Sequence, residues 1–123
     1  MAVPVALVID DSAETRDVYA LILELEGFAV VQARNGQEGV ARAVESRPDI
    51  IITDLSMPIM DGWETIRRLR ADQRTRSIPI IVCSGLDGEH GLESSRADAL
   101  LAKPCPLDAL MVEVRRLLSP RAA

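Results

Sequence analysis

Five polar residues carry the chemistry this sequence could perform: Asp10, Asp11, Asp54, Ser84 and Lys103. Each ends or directly follows a short apolar run. Asp10-Asp11 follow Val5–Ile9, Asp54 closes Ile50-Ile51-Ile52-Thr53, Ser84 follows Ile80-Ile81-Val82-Cys83, and Lys103 follows Ala99-Leu100-Leu101-Ala102. If the first and third runs lie side by side, three carboxylates come within a few Å of one another. Like charges that close raise one another's pKa, and a bound cation removes the conflict. Oxygen donors favour Mg²⁺ or Mn²⁺ over zinc. Mg²⁺ engages few protein carboxylates and keeps waters or phosphate oxygens in its shell, so the cluster suits a phosphoryl group. Asp54 could then attack phosphorus to give an acyl phosphate. Lys103 could pair with one phosphoryl oxygen, and the Ser84 hydroxyl could donate to another. Taken singly, each has a plainer reading: a helix cap for Asp10-Asp11, a turn for Ser84, a surface charge for Lys103. Their shared position at run ends argues for the chemistry.

The elements that must position these groups alternate. A continuous β-branched run such as Ile50–Thr53 reads as a strand buried on both faces, and a lone acid at its end is costly unless partnered. Val5–Ile9 reads as the first strand, and Asp11-Ser12-Ala13-Glu14 as the cap of a helix bearing Val18, Leu21, Ile22 and Leu25, stopped by Gly27. Phe28–Val31 is the second strand. Asn35-Gly36 opens a second helix with Val40, Ala43 and Val44, closed by Pro48. After Asp54 comes the loop Leu55–Gly62, then a third helix from about Trp63 to Ala71 with Ile66, Leu69 and Arg70 on one stripe. Ile78–Cys83 is the fourth strand, with Pro79 near its start where a missing donor is tolerable. Leu86–Arg96 should be a fourth helix, but Gly88 and Gly91 weaken it by up to ~1 kcal/mol each. Ala99–Ala102 is a fifth strand. Pro106 suits a first helical position, and Leu107, Leu110, Met111, Val114, Leu117 and Leu118 make an amphipathic last helix. This is an α/β chain of five strand–helix units, with right-handed crossovers and a doubly wound parallel sheet covered on both faces. Such sheets bind ligands at the edge formed by the strands' C-terminal ends.

Composition narrows the function. At 123 residues, with 48 % apolar and 27 % charged, the chain fits one soluble domain over residues 1–123. A net charge of −5 argues against a basic nucleic-acid-binding face. No apolar run spans a bilayer, and Met1-Ala2-Val3-Pro4 has no signal-peptide pattern. Cys83 and Cys105 form no disulfide framework or metal motif, and are expected as reduced thiols in a cytoplasmic protein. Lys103 is the single lysine among 14 basic residues, so it is a candidate for a role that calls for a compact point charge. His90 lies in a polar stretch and is expected to be exposed. Met57 and Met60 read as loop and core packing, and the run Arg67, Arg68, Arg70, Arg74, Arg76 as a solvated face.

The order of these motifs resembles the receiver domains of bacterial response regulators, over about the whole chain. The carriers are Asp10-Asp11, the string Asp54-Leu55-Ser56-Met57-Pro58-Ile59-Met60-Asp61-Gly62, Ser84-Gly85 and Lys103-Pro104. The resemblance implies a flavodoxin-like (βα)5 fold with strand order 2-1-3-4-5. It implies a two-component phosphorelay switch that is not an enzyme beyond its own phosphotransfer and acyl-phosphate hydrolysis. A phosphohistidine on a sensor histidine kinase or phosphotransfer protein would donate to Asp54. Asp11, Asp54 and the Ser56 carbonyl would hold Mg²⁺, with Asp10 helping through water. Ser84, Gly85 and Lys103 would form the phosphoryl-binding and switch set, the Lys103-Pro104 bond would be cis, and Gly62 would permit the turn before the third helix. Output would be binding to a downstream protein target, by a monomer or a phosphorylation-dependent dimer, since no effector domain accompanies the receiver unless the chain comes from a longer one.

Some positions depart from the family pattern. Leu100 stands where the family carries a switch aromatic on strand five, Ser84 replaces the commoner Thr, and Cys105 stands where Phe is frequent. The Ser84–Lys103 interval is short by roughly one helical turn, so the fourth helix is expected to be short or irregular. Two rival readings remain: a receiver that binds partners without phosphorylation, and a phosphohydrolase with an aspartyl nucleophile. The second would want an acid where Ser56 stands. A dinucleotide enzyme fails for lack of a Gly-rich loop after the first strand.

Overall fold

The isoleucine run forms the central strand of a parallel sheet. The structure, a computed structural model, describes residues 3–55, 57, 59–84, 97–103 and 105–118. β3 (Ile50–Asp54) lies between β1 (Val5–Ile9) and β4 (Ile80–Ser84), with β2 (Ala29–Ala33) and β5 (Ala99–Ala102) at the edges, giving the order β2-β1-β3-β4-β5. All the pairings are parallel. The helices are α1 (Ala13–Leu25), α2 (Gly36–Ser46), α3 (Gly62–Ala71) and α4 (Leu107–Leu118). This is the doubly wound, flavodoxin-like order expected from the sequence. Strand order reverses between β1 and β3, which opens a crevice at their C-terminal ends.

Strand alternation splits the core in two. On one side Ala6, Val8, Ile50, Ile52, Ile81 and Cys83 pack against Tyr19 and Leu23 of α1 and Leu110, Met111 and Val114 of α4. On the other, Leu7, Ile9, Ile51, Ile80 and Val82 meet Ala43 of α2 and Ile66 and Leu69 of α3. Every residue of β3 is buried, which is why it reads as an unbroken apolar run. Ser12, Asn35 and Asp61 cap α1, α2 and α3 by accepting from the Thr15, Glu38 and Glu64 N–H groups at 3.2, 2.8 and 2.9 Å, each worth about 1 kcal/mol. Among the described residues no helix is long and apolar enough to cross a membrane.

Four local expectations need correction. In α1, Val18, Leu21 and Leu25 point outward, and the sheet takes Tyr19, Ala20 and Leu23. The helix carries two overlapping apolar stripes, and the one with the bulkiest side chain faces inward. β4 starts at Ile80, two residues later than read, because Pro79 has no N–H to give the ladder. Pro106 precedes α4, and its carbonyl accepts from Leu110 at 3.1 Å. Arg70 is no solvated cation. Its side chain is 8 % exposed and donates to the Arg76 and Ile78 carbonyls and to Asp98. The expected fourth helix over Leu86–Arg96, with His90, lies outside the described residues.

Candidate functional site

The crevice beside β3 gathers the acids. Asp54 ends β3 and is 7 % exposed, with one carboxylate oxygen accepting from the Leu55 N–H at 2.8 Å. Asp10 follows β1 and is 2 % exposed. Its backbone N–H donates to the Ala33 carbonyl, and its Oδ1 accepts from the Ser12 N–H at 2.9 Å. Asp11 is exposed at the mouth. One carboxylate oxygen from each of Asp10, Asp11 and Asp54 lies within 4.8 Å of the others. The pairing of β1 with β3 brings them together.

Lys103 reaches this cluster from the end of β5. Its Nζ lies 3.0 Å from Asp10 Oδ2 and 3.3 Å from Asp54 Oδ2. Burial pushes the Asp54 carboxyl above the ordinary aspartate value; Lys103 pulls it back, and the Asp10 charge adds to the rise. Burial draws the Lys103 ammonium down, but its hydrogen bond to Asp10 and the two facing charges win, and the net direction is up. One ammonium is therefore shared by two buried carboxylates, while the third faces solvent.

Ser84 closes β4 beside Ala102 in the ladder, one position after Cys83, which pairs with Asp54. Leu100 pairs with Val82 and is half-buried against the α2–α3 side of the core. Ser56, Gly85 and Pro104, and with them the expected carbonyl ligand and cis bond, lie outside the described residues. Gly62 begins α3 against the site, with its N–H donating to the Leu55 carbonyl at 2.9 Å. A Cβ there would sit 2.4 Å from the Asp54 carbonyl oxygen and 2.7 Å from Leu55 Cα, so only glycine fits.

Two residues were missed in the sequence. Arg16 donates to the Asp10 carbonyl at 2.8 Å and to the Gln32 side chain at 3.0 Å, tying β1's end to α1 and β2. Its helical position, one turn past the acid pair, was the available signal. Ile59, in the loop before α3, has φ +74° and is 76 % exposed. A β-branched residue in the left-handed region is strained, and nothing in its type announces that.

The donor set fits a hard divalent cation. All three clustered ligand atoms are carboxylate oxygens, two buried and one open to solvent, which leaves room for waters or phosphate oxygens in the shell.

Comparison with known proteins agrees with this geometry. The response regulator receiver domain family matches residues 6–115. The chain belongs to this family. Among receiver relatives, it is 39 % identical over 119 residues to the DNA-binding dual master transcriptional regulator RpaA of Synechocystis sp., covering 94 % of this chain and 49 % of that protein. The chain thus spans about half the length of that relative. Its receiver fold superposes on the chemotaxis response regulator CheY4 of Vibrio cholerae with a TM-score of 0.88 at 28 % identity, over 95 % of this chain and 100 % of that one. It also superposes on the receiver domain of the sensor histidine kinase PA1611 of Pseudomonas aeruginosa, with a TM-score of 0.88 at 26 % identity, over 97 % and 100 %. That structure has a magnesium ion coordinated in its active-site cleft.

Proposed function

We propose that this receiver is a phosphoacceptor switch in which Asp54 takes a phosphoryl group from a phosphohistidine on a sensor histidine kinase or phosphotransfer protein. The observation that carries this is the meeting of three carboxylate oxygens within 4.8 Å of one another, with the Asp10 and Asp54 carboxylates sharing the Lys103 ammonium. Asp10, Asp11 and Asp54, with the Ser56 carbonyl, would hold Mg²⁺, or Mn²⁺ in its place. When bound, the cation neutralises charge on the transferring group.

The chain's own residues do the rest. The Leu55 N–H fixes one Asp54 oxygen. Burial raises the Asp54 carboxyl, and the Lys103 charge pulls it part of the way back. In the transfer, an Asp54 oxygen–phosphorus bond forms as the phosphorus–nitrogen bond of the donor histidine breaks, and the imidazole recovers a proton. Lys103 and the Ser84 hydroxyl would then serve the new phosphoryl oxygens, with Gly85 in the same phosphoryl-binding set. The chemistry ends with hydrolysis of the chain's own acyl phosphate, so it turns over no separate substrate. Output is a change in binding to a protein target in the cytoplasm, and DNA binding in RpaA's name is a property of that longer protein. The acid cluster is complete, which speaks against a receiver that works without phosphorylation.

Incubation with a small phosphodonor and Mg²⁺, read by intact mass, tests this. One phosphoryl group should be gained, and none in Asp54→Asn. No gain, or a gain that survives the substitution, would refute it.

A further inference from the structure

The three clustered acids are not held alike. Asp10 Oδ1 accepts from the Ser12 N–H and its Oδ2 pairs with Lys103, while Asp54 accepts from the Leu55 N–H and also pairs with Lys103. Asp11 is exposed, and among the described residues no hydrogen bond or ion pair reaches its carboxylate. Its direction is therefore set by the main chain that carries it. The Asp10 carbonyl belongs to the peptide unit that joins Asp10 to Asp11, and such a unit is planar from one Cα to the next. Holding that oxygen fixes the plane, and with it where the Asp11 Cα and side chain leave.

Arg16 holds that oxygen. One guanidinium nitrogen donates to the Asp10 carbonyl at 2.8 Å, and Nε donates to Gln32 Oε1 at 3.0 Å. The Gln32 side-chain amide donates in turn to Asp17 at 3.4 Å. Gln32 sits in β2 opposite Val8 of β1, so the guanidinium is braced by the neighbouring strand as well as by its own helix. The Ser12 carbonyl accepts from the Arg16 N–H at 3.0 Å, which sets Arg16 one turn into α1. Asp11 is thus bracketed. The contact of Asp10 Oδ1 with the Ser12 N–H closes a turn around it, and Arg16 fixes its peptide plane. A planar guanidinium serves two acceptors at set angles, which a lysine ammonium does not reproduce.

We propose that Arg16 is a positioning residue for the divalent-cation site: it aims the Asp11 carboxylate by fixing the Asp10–Asp11 peptide, and Gln32 braces Arg16 in turn. This role rests on the reading of the three acids as a Mg²⁺ site. The charge and the geometry of Arg16 act in opposite senses there. A cation near three acids competes with Mg²⁺, so charge alone predicts tighter Mg²⁺ binding when Arg16 is neutralised. Losing an outer contact that orients a ligand weakens metal binding, by about tenfold or more. The sign of the change separates the two.

Calorimetric titration of Mg²⁺ into this chain tests the role, with circular dichroism to confirm that each variant is folded. Arg16→Met should bind Mg²⁺ about tenfold more weakly than wild type although it removes a positive charge. Arg16→Lys keeps the charge and should also bind more weakly. Gln32→Leu leaves Arg16 in place and should lose affinity as well. The Arg16→Met/Gln32→Leu double variant should be no weaker than Arg16→Met alone, because the two residues act as one unit. In an Asp11→Asn background, Arg16→Met should have no further effect. Unchanged or tighter binding in Arg16→Met, or wild-type affinity in Arg16→Lys, would overturn the proposal and leave the cation site standing. A wild type that takes up no Mg²⁺ would refute the cation site itself, and this role with it. If Arg16→Met does not fold, the Arg16→Lys and Gln32→Leu titrations decide.

Discussion

Lys103 Nζ stands 3.3 Å from Asp54 Oδ2 and, at 3.0 Å, also holds Asp10. One cation therefore balances two buried acids and occupies charge that a divalent ion would otherwise supply. Removing it leaves the three carboxylates more strongly negative. A unit charge about 4 Å away is worth about 1 kcal/mol in a water-like dielectric, and more where solvent is excluded. Lys103→Ala should thus bind Mg²⁺ about fivefold more tightly in a calorimetric titration, yet phosphorylate about 10²-fold more slowly because a donor to the phosphoryl group is gone. Weaker Mg²⁺ binding would show that Lys103 does not compete for these carboxylates.

The start of α3 allows no side chain beside the site. Gly62→Ala places a Cβ 2.4 Å from the Asp54 carbonyl oxygen, and backbone must move to admit it. Overpacking of this kind costs about 1–3 kcal/mol. Chemical denaturation should show that loss, and an unchanged midpoint would mean the turn relaxes freely.

Ile59 holds a left-handed backbone with its side chain in solvent. Strain there is about 1–3 kcal/mol, against about 0.5–1 kcal/mol for glycine's extra chain entropy. Ile59→Gly should therefore stabilise the chain by about 1 kcal/mol in urea titration. A destabilised variant would show that the Ile59 side chain contributes more than its exposure suggests.

The acid site should impose a pH signature on the metal-free chain. Burial raises the Asp54 pKa above its unfolded value, so its protonated form is the one folding favours. That contribution is fully present below the unfolded pKa and is lost as pH rises through the folded pKa. In EDTA, Asp54→Asn should gain stability relative to wild type as pH climbs from the acid range to neutrality. Parallel stability curves for the two proteins would mean that Lys103 fully offsets the burial.

The strands and the strand-end acids were legible because continuous β-branched runs closed by a carboxylate are local signals, whereas the strand order came with the resemblance to receiver domains. β1 and β5 were read to the residue. The face α1 turns inward was not legible, because Val18, Leu21 and Leu25 make as good a stripe as Tyr19 and Leu23 until the sheet selects one. Arg70 looked like its solvated neighbours, since its carbonyl partners come from the following turn and Asp98 from the start of β5.

The central claim is that Asp54 itself accepts the phosphoryl group. Borohydride reduction of the phosphodonor-treated chain converts an aspartyl phosphate to homoserine, and peptide mass analysis locates it. Homoserine at position 54, appearing only with Mg²⁺ and phosphodonor, is the predicted result. Homoserine at Asp10 or Asp11, or at no aspartate of a chain that has gained phosphate, would contradict it.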